Sequence, residues 1–125
     1  MTSTIIDPLA IIELTNLKAS GNLEELAELA SHPQLGLRPE WMRELAQHEH
    51  DLVRRTLAQN PAIAEFPEVV EALATDPEPD TREALAYNPA MVSYPEIAKK
   101  LAADRNPYVR YLFTQSPPLY MEAYR

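Results

Sequence analysis

The chain has no cysteine in its 125 residues. That removes disulfides, thiolate zinc sites, cysteine-bound iron–sulfur clusters and a cysteine nucleophile together. It has only two glycines, so few left-handed turns and few flexible hinges are expected. No apolar run approaches the roughly 18 residues that a membrane span needs, and no charged-then-apolar leader opens the sequence. The expected compartment is the cytosol, with no membrane partner. There is no G-x-S-x-G, no P-loop and no glycine-rich phosphate cradle. Neither catalysis nor a cofactor is therefore expected. Positive charge is also scarce: 11 Lys and Arg stand against 19 Asp and Glu, for a net charge of −8. That argues against a general affinity for nucleic acid or anionic lipid, which rests on clustered cations.

Twelve prolines stand against the two glycines. Many prolines mean many fixed starts and stops, so stiff, short elements in quick succession are expected. The length suits one domain, and a chain of this size buries roughly two-thirds of its unfolded surface, enough for a core. Charge is uneven along it. Glu65 to Glu83 holds seven acids and one base, Arg82, whereas Lys99 to Arg125 holds five bases and two acids.

The prolines belong to a repeated phrase. "LAQNPAIAEFPE" at Leu57–Glu68 returns as "LAYNPAMVSYPE" at Leu85–Glu96. The offset of 28 residues runs through the chain, placing Arg54, Arg82 and Arg110 in one column, and Leu57, Leu85 and Phe113 in another. Pro61, Pro89 and Pro117 form a third column, and His32, Asn60 and Asn88 precede prolines in register. The reading is a single repeat domain spanning 1–125: a cap segment 1–16, units 17–44, 45–72 and 73–100, and a shortened unit 101–125.

One unit can be built from its residues. In 67–94, Pro67 suits the first turn of a helix and Glu68 complements its positive end. Val69, Val70, Leu73 and Ala74 recur at helical spacing. "DPEP" at Asp76–Pro79 stops that helix, and Asp80 with Glu83 forms a D-x-x-E start signal for a second. Asn88-Pro89 ends the second helix, since the residue before proline leaves the α region. "AMVSY" remains as a short irregular or 3₁₀ stretch before Pro95 restarts the cycle. Helices of about eight residues are marginal alone, so the Leu and Ala columns must join across neighbouring units. The expected fold is all-α: a short α-solenoid, a HEAT-like right-handed superhelix of about four 28-residue helical repeats. Asn22 with Glu25 is expected to open the helix after the cap, and Tyr120, Met121 and Tyr124 to take the place of a further helix.

The phrase resembles the leucine-rich repeat variant family, whose units read roughly L-A-x-D-P-x-x-x-V-R-x-x-L-A-x-N-P. Leu73-Ala74, Asp76-Pro77, Arg82, Leu85-Ala86 and Asn88-Pro89 carry that pattern. So do Leu45-Ala46, Val53-Arg54, Leu57-Ala58 and Asn60-Pro61. The resemblance covers about residues 26–117. It implies alternating α- and 3₁₀-helices in a solenoid, and binding rather than catalysis. The family unit is shorter, so the stretch before Pro67 and Pro95 looks inserted. The cysteine-rich iron–sulfur module of some members is absent here.

Three groups of residues invite a functional reading. Arg54, Arg82 and Arg110 could form a ladder that grips phosphates or carboxylates, or each could bridge to an Asp or to helix-end carbonyls of an adjacent unit. The second is expected, because repeat columns usually specify stacking. "HEHD" at His48–Asp51 is the one metal-like cluster, but His48 aligns with Asp76 and Asp104 and reads as a polar turn residue, so no metal is expected. Tyr108, Tyr111, Phe113, Tyr120 and Tyr124 crowd the last unit with Arg105, Arg110 and Arg125. Tyr and Arg are enriched at binding hot spots, yet an open solenoid end must also be covered. The leading expectation is a non-catalytic scaffold for another protein or peptide, its acidic stretch suited to a basic partner. The alternatives are nucleic-acid or phosphate binding through the arginine column, and a homo-oligomer closed through the aromatic C-terminal end.

Overall fold

The computed structural model describes residues 22–115. The expected cap segment 1–16 and the end of the last unit, with Tyr120 and Tyr124, lie outside the described residues. Among the described residues the chain is all-helical, with no strand. The α-helices are α1 Leu23–Ala30, α2 Pro39–Ala46, α3 Asp51–Ala58, α4 Pro67–Ala74, α5 Pro79–Ala86, α6 Pro95–Ala102 and α7 Pro107–Gln115. Short 3₁₀ segments at Leu35–Leu37, Pro61–Glu65 and Pro89–Ser93 link α1 to α2, α3 to α4 and α5 to α6.

Proline sets where these helices begin. Pro39, Pro67, Pro79 and Pro95 each occupy a first helical turn, where the missing N–H costs nothing. Glu40, Glu68 and Glu96 follow at once and complement the helix dipole. At Asn22 the expected cap forms, its side chain accepting from Glu25 N–H at 3.1 Å. The start of α5 differs from expectation. The helix begins at Pro79 with Glu78 as its cap, so Asp80 already lies in the first turn and Asp80–Glu83 is not a capping box. The corner is held instead by Asp76, whose Oδ1 accepts from Glu78 N–H at 2.9 Å. Proline at the helix start fixes the boundary one residue ahead of the D-x-x-E signal.

Asparagine before proline ends one helix and starts the next segment. Asn60 and Asn88 are extended, with φ −83 and ψ 118, and φ −71 and ψ 125. Their Oδ1 atoms accept from Ala62 and Ala90 N–H at 2.9 and 2.8 Å, opening the 3₁₀ segments. "PAMVS" is thus the 3₁₀ stretch that its position between two prolines suggests.

Eight-residue helices survive by packing. α1 packs on α3, α3 on α5 and α5 on α7; α2 packs on α4 and α4 on α6; successive 3₁₀ segments pack on one another. The expected leucine columns fill the joints: Leu45, Leu73 and Leu101, and Leu57 and Leu85, are all buried. Ile63 and Met91, which share a column, are both fully buried. Each such side chain contributes about 1.5–3 kcal/mol by leaving water.

Candidate functional site

The arginine column turns inward over most of its length. Arg54 projects from α3 toward the corner after α4. Its Nε donates to Asp76 Oδ2 at 2.7 Å, its Nη2 to Asp76 Oδ1 at 3.3 Å and its Nη1 to the His48 carbonyl at 2.6 Å. Arg82 on α5 repeats this one unit later. Nε and Nη2 meet Asp104 at 2.7 and 3.0 Å, and Nη1 meets the Asp76 carbonyl at 2.6 Å. Both pairs are bidentate and shielded, the Arg82 and Asp104 side chains being 4% and 8% exposed. Burial pushes the Asp104 carboxyl upward, but the bonds from Arg82 and Asn106 N–H and the charges of Arg82 and Arg105 outweigh it. The net effect holds that carboxyl below its ordinary value.

Arg110 on α7 shares the column but not the partner. Its Nη1 donates to the Asp104 carbonyl at 2.6 Å, as its two counterparts do to theirs, yet the side chain is exposed. Of the expected binding residues around it, Tyr108 and Tyr111 are 75% and 57% exposed, and Phe113 is partly buried where Leu57 and Leu85 are fully buried. Arg110, Tyr108 and Tyr111 are thus exposed on one helix, whereas Arg54 and Arg82 are turned inward; Arg110 and Arg82 meet at Asp104, one at its carbonyl and the other at its carboxylate.

The aspartates were the partners that the column alone did not identify. A signal for them exists in the register. Asp76 and Asp104 stand 22 residues after Arg54 and Arg82, and where the arginine column holds Leu26 the acid column holds His48. In that unit arginine and acid are absent together.

The asparagine column does more than turn the chain. Asn60 Nδ2 donates back to the carbonyls of Ala30 and His32, both at 2.9 Å. Asn88 Nδ2 repeats this with Ala58 at 2.8 Å and Asn60 at 3.0 Å. Each buried amide therefore ties one corner to the corner a unit earlier. The histidines imitate the same chemistry with Nδ1 as acceptor. His32 accepts from Gln34 N–H, His48 from His50 N–H and His50 from Leu52 N–H, at 3.0, 3.0 and 3.1 Å. Their Nδ1 atoms are occupied by backbone, and no group of three metal-type side chains gathers among the described residues.

A groove of about 440 Å³ lies between α4 and α6. Ala72, Ile97 and Leu101 give it an apolar floor, and Glu68, Glu71, Thr75 and Lys100 stand around it. Glu68 accepts from Arg43 Nε of α2 at 3.1 Å. A bond from its own backbone, opposed by desolvation and helped by the Arg43 bond and charge, leaves its carboxyl below the ordinary value. One unit later the position of Arg43 is taken by Glu71, so the groove carries an acid where the preceding joint carries a base. No described helix is long and apolar enough to cross a membrane. No family model, curated protein or solved structure matches the chain.

Proposed function

We propose that this chain is a small α-solenoid of about four 28-residue units, the last shortened, of the leucine-rich repeat variant type, that binds another protein or peptide in the cytosol and is not an enzyme. The observation that carries this reading is the groove between α4 and α6, apolar at its floor and acidic at its rim. A basic, partly apolar segment is its natural occupant, with the acidic stretch from Glu65 to Glu83 steering approach. The recurrence of the arginine and asparagine bonds at a 28-residue step supports the repeat architecture. The same bonds weigh against a phosphate-gripping ladder, because Arg54 and Arg82 are engaged by carboxylates of the chain itself.

The test is a fluorescence-anisotropy screen of equal-length basic, neutral and acidic peptides against the full chain. Basic peptides with apolar residues should bind best and weaken as salt rises. Replacing Glu71 by Lys should weaken them by about tenfold while leaving the melting temperature within a few degrees. Unchanged affinity in Glu71→Lys, or a preference for acidic peptides that Glu71→Lys does not alter, would remove the groove from consideration.

A further inference from the structure

The joint between α4 and α6 is built like the joint between α2 and α4, with one bridge taken out. Arg43 of α2 crosses the earlier joint and donates to Glu68 of α4 at 3.1 Å. One repeat later the same two positions hold Glu71 and Glu96, so like charges replace the ion pair. Glu96 meets Lys99 of its own helix instead, at 3.4 Å. Ala72 opens the joint further, because its position carries the long side chains of Glu44 in α2 and Lys100 in α6. The result is the groove floored by Ala72, Ile97 and Leu101. Of the charged groups lining it, Glu68 is engaged by Arg43 and Asp104 by Arg82. The side chains of Glu71, on the α4 wall, and Lys100, on the α6 wall, make no ion pair among the described residues.

We infer that the groove takes an amphipathic helix of a partner protein, with bases along its edge over α4 and an acid on its edge over α6. The assignment rests on the reading of this groove as a binding site and specifies the partner's shape and charge pattern. The shape follows from the walls. α4 and α6 are eight-residue helices, about 12 Å long, and no strand edge is present among the described residues. An extended guest would lay unmatched N–H and C=O groups over the apolar floor. A helix satisfies its own and seats apolar side chains at i, i+3 and i+4. The charge pattern follows from Glu71 and Lys100. A base on the guest takes up with Glu71 the role that Arg43 has with Glu68, and an acid on the opposite edge meets Lys100. Glu68 and Glu71 keep the guest basic overall, with its acid confined to one edge.

The experiment measures, by fluorescence anisotropy, the binding to the full chain of three stapled helices about 15 residues long. All share a Leu stripe and a Lys edge; the other edge carries Glu, Gln or Lys at one position. Affinity should fall in the order Glu, Gln, Lys, by about threefold at each step, although the Lys peptide is the most basic. Attraction to net charge alone gives the reverse order, which would overturn the inference and leave a basic occupant of the groove standing. Lys100→Gln should level the Glu and Gln peptides, and Lys100→Glu should invert the series. A series unmoved by Lys100→Glu would overturn the inference. Glu71→Gln should weaken all three peptides and keep their order. Tighter binding in Glu71→Gln would mean that Glu71 and Lys100 pair with each other across the groove, which overturns it as well. An unstapled peptide broken by a central proline should bind about tenfold more weakly, and equal affinity would remove the helix. Ala72→Lys, which copies the residue of α6 at that position, should abolish binding while the melting temperature stays within a few degrees. Binding unaffected by Ala72→Lys, or no binding by any of the three peptides, would remove the groove itself together with the inference. A concentration-dependent mass lost in Ala72→Lys would make the occupant a second copy and overturn the partner assignment.

Discussion

Arg82 and Arg110 sit at the same position of successive helices, make the same 2.6 Å bond to a carbonyl six residues back, and live in opposite environments. Arg82 is buried against Asp104, while Arg110 stands in solvent. The residue and its local geometry are constant between the two regions. What changes is whether a carboxylate of the described residues reaches the guanidinium. The comparison teaches that a column in a repeat specifies how a side chain is presented, and that the neighbour decides its role.

The sharpest break of this contrast is at the buried joint. Arg82→Gln leaves Asp104 enclosed without its counter-charge, and removing one partner of such a pair costs about 3–5 kcal/mol. Melting followed by circular dichroism should fall on the order of 10 °C or more. Arg54→Gln should cost less, because the Arg54 side chain is 12% exposed and keeps some access to water.

Next in size is the amide that crosses the joint nearby. Asn88→Ala removes two donors to the carbonyls of Ala58 and Asn60 and the acceptor for Ala90 N–H, all buried. Leaving these groups unpaired should cost about 2–3 kcal/mol in urea titration. A loss below 0.5 kcal/mol, roughly the size of an ordinary surface substitution, would show that water replaces the amide.

Acid reaches the same joint through Asp104. Its folded-state pKa lies below the ordinary 3.8, so its contribution is fully present above that value. It is lost as pH falls from about 3.8 through the lower folded value. Asp104→Asn should flatten the stability profile in that window and leave the slope at neutral pH unchanged. An unaltered acid limb would detach the ion pair from acid unfolding.

A smaller effect of opposite sign separates the units from one another. Thr81 is fully buried, its Oγ1 has no hydrogen-bond partner, and its column holds Val53 and Val109, both fully buried as well. Thr81→Val fills the same volume without enclosing an unmet hydroxyl, and should stabilise by about 1 kcal/mol. A destabilised variant would mean that the hydroxyl has a partner in solution.

Much of this was legible from the residues. The proline columns marked the helix starts, the leucine columns the core, and Asn88-Pro89 the corner. These signals are local, acting within a turn or two of the chain. The start of α5 was misjudged because two local signals compete there and proline prevails. What stayed hidden was long-range. Asn60 and Asn88 read as turn residues, and nothing in a turn reveals that Nδ2 reaches a carbonyl 30 residues earlier. The Asp76 partner of Arg54 was visible only as a paired absence, Leu26 with His48, which one sequence states once. The groove between α4 and α6 was legible only as acidity, since it is the packing of α4 on α6 that makes Ala72, Ile97 and Leu101 line one groove.

The smallest expected effect closes the comparison on Arg110. If presentation and role are separable, Arg110→Gln should alter stability by no more than about 0.5 kcal/mol, as an exposed substitution does. Its one bond among the described residues, to a carbonyl, can be exchanged for water at little cost, whereas the buried Arg82 has no such substitute. The ratio of the two losses, measured in the same buffer by the same denaturant titration, is the informative quantity. A ratio near one would mean that the carbonyl bond, common to both, carries the stabilisation, and that the carboxylate is incidental. A large ratio would assign the stabilisation to the acid that a neighbouring unit supplies.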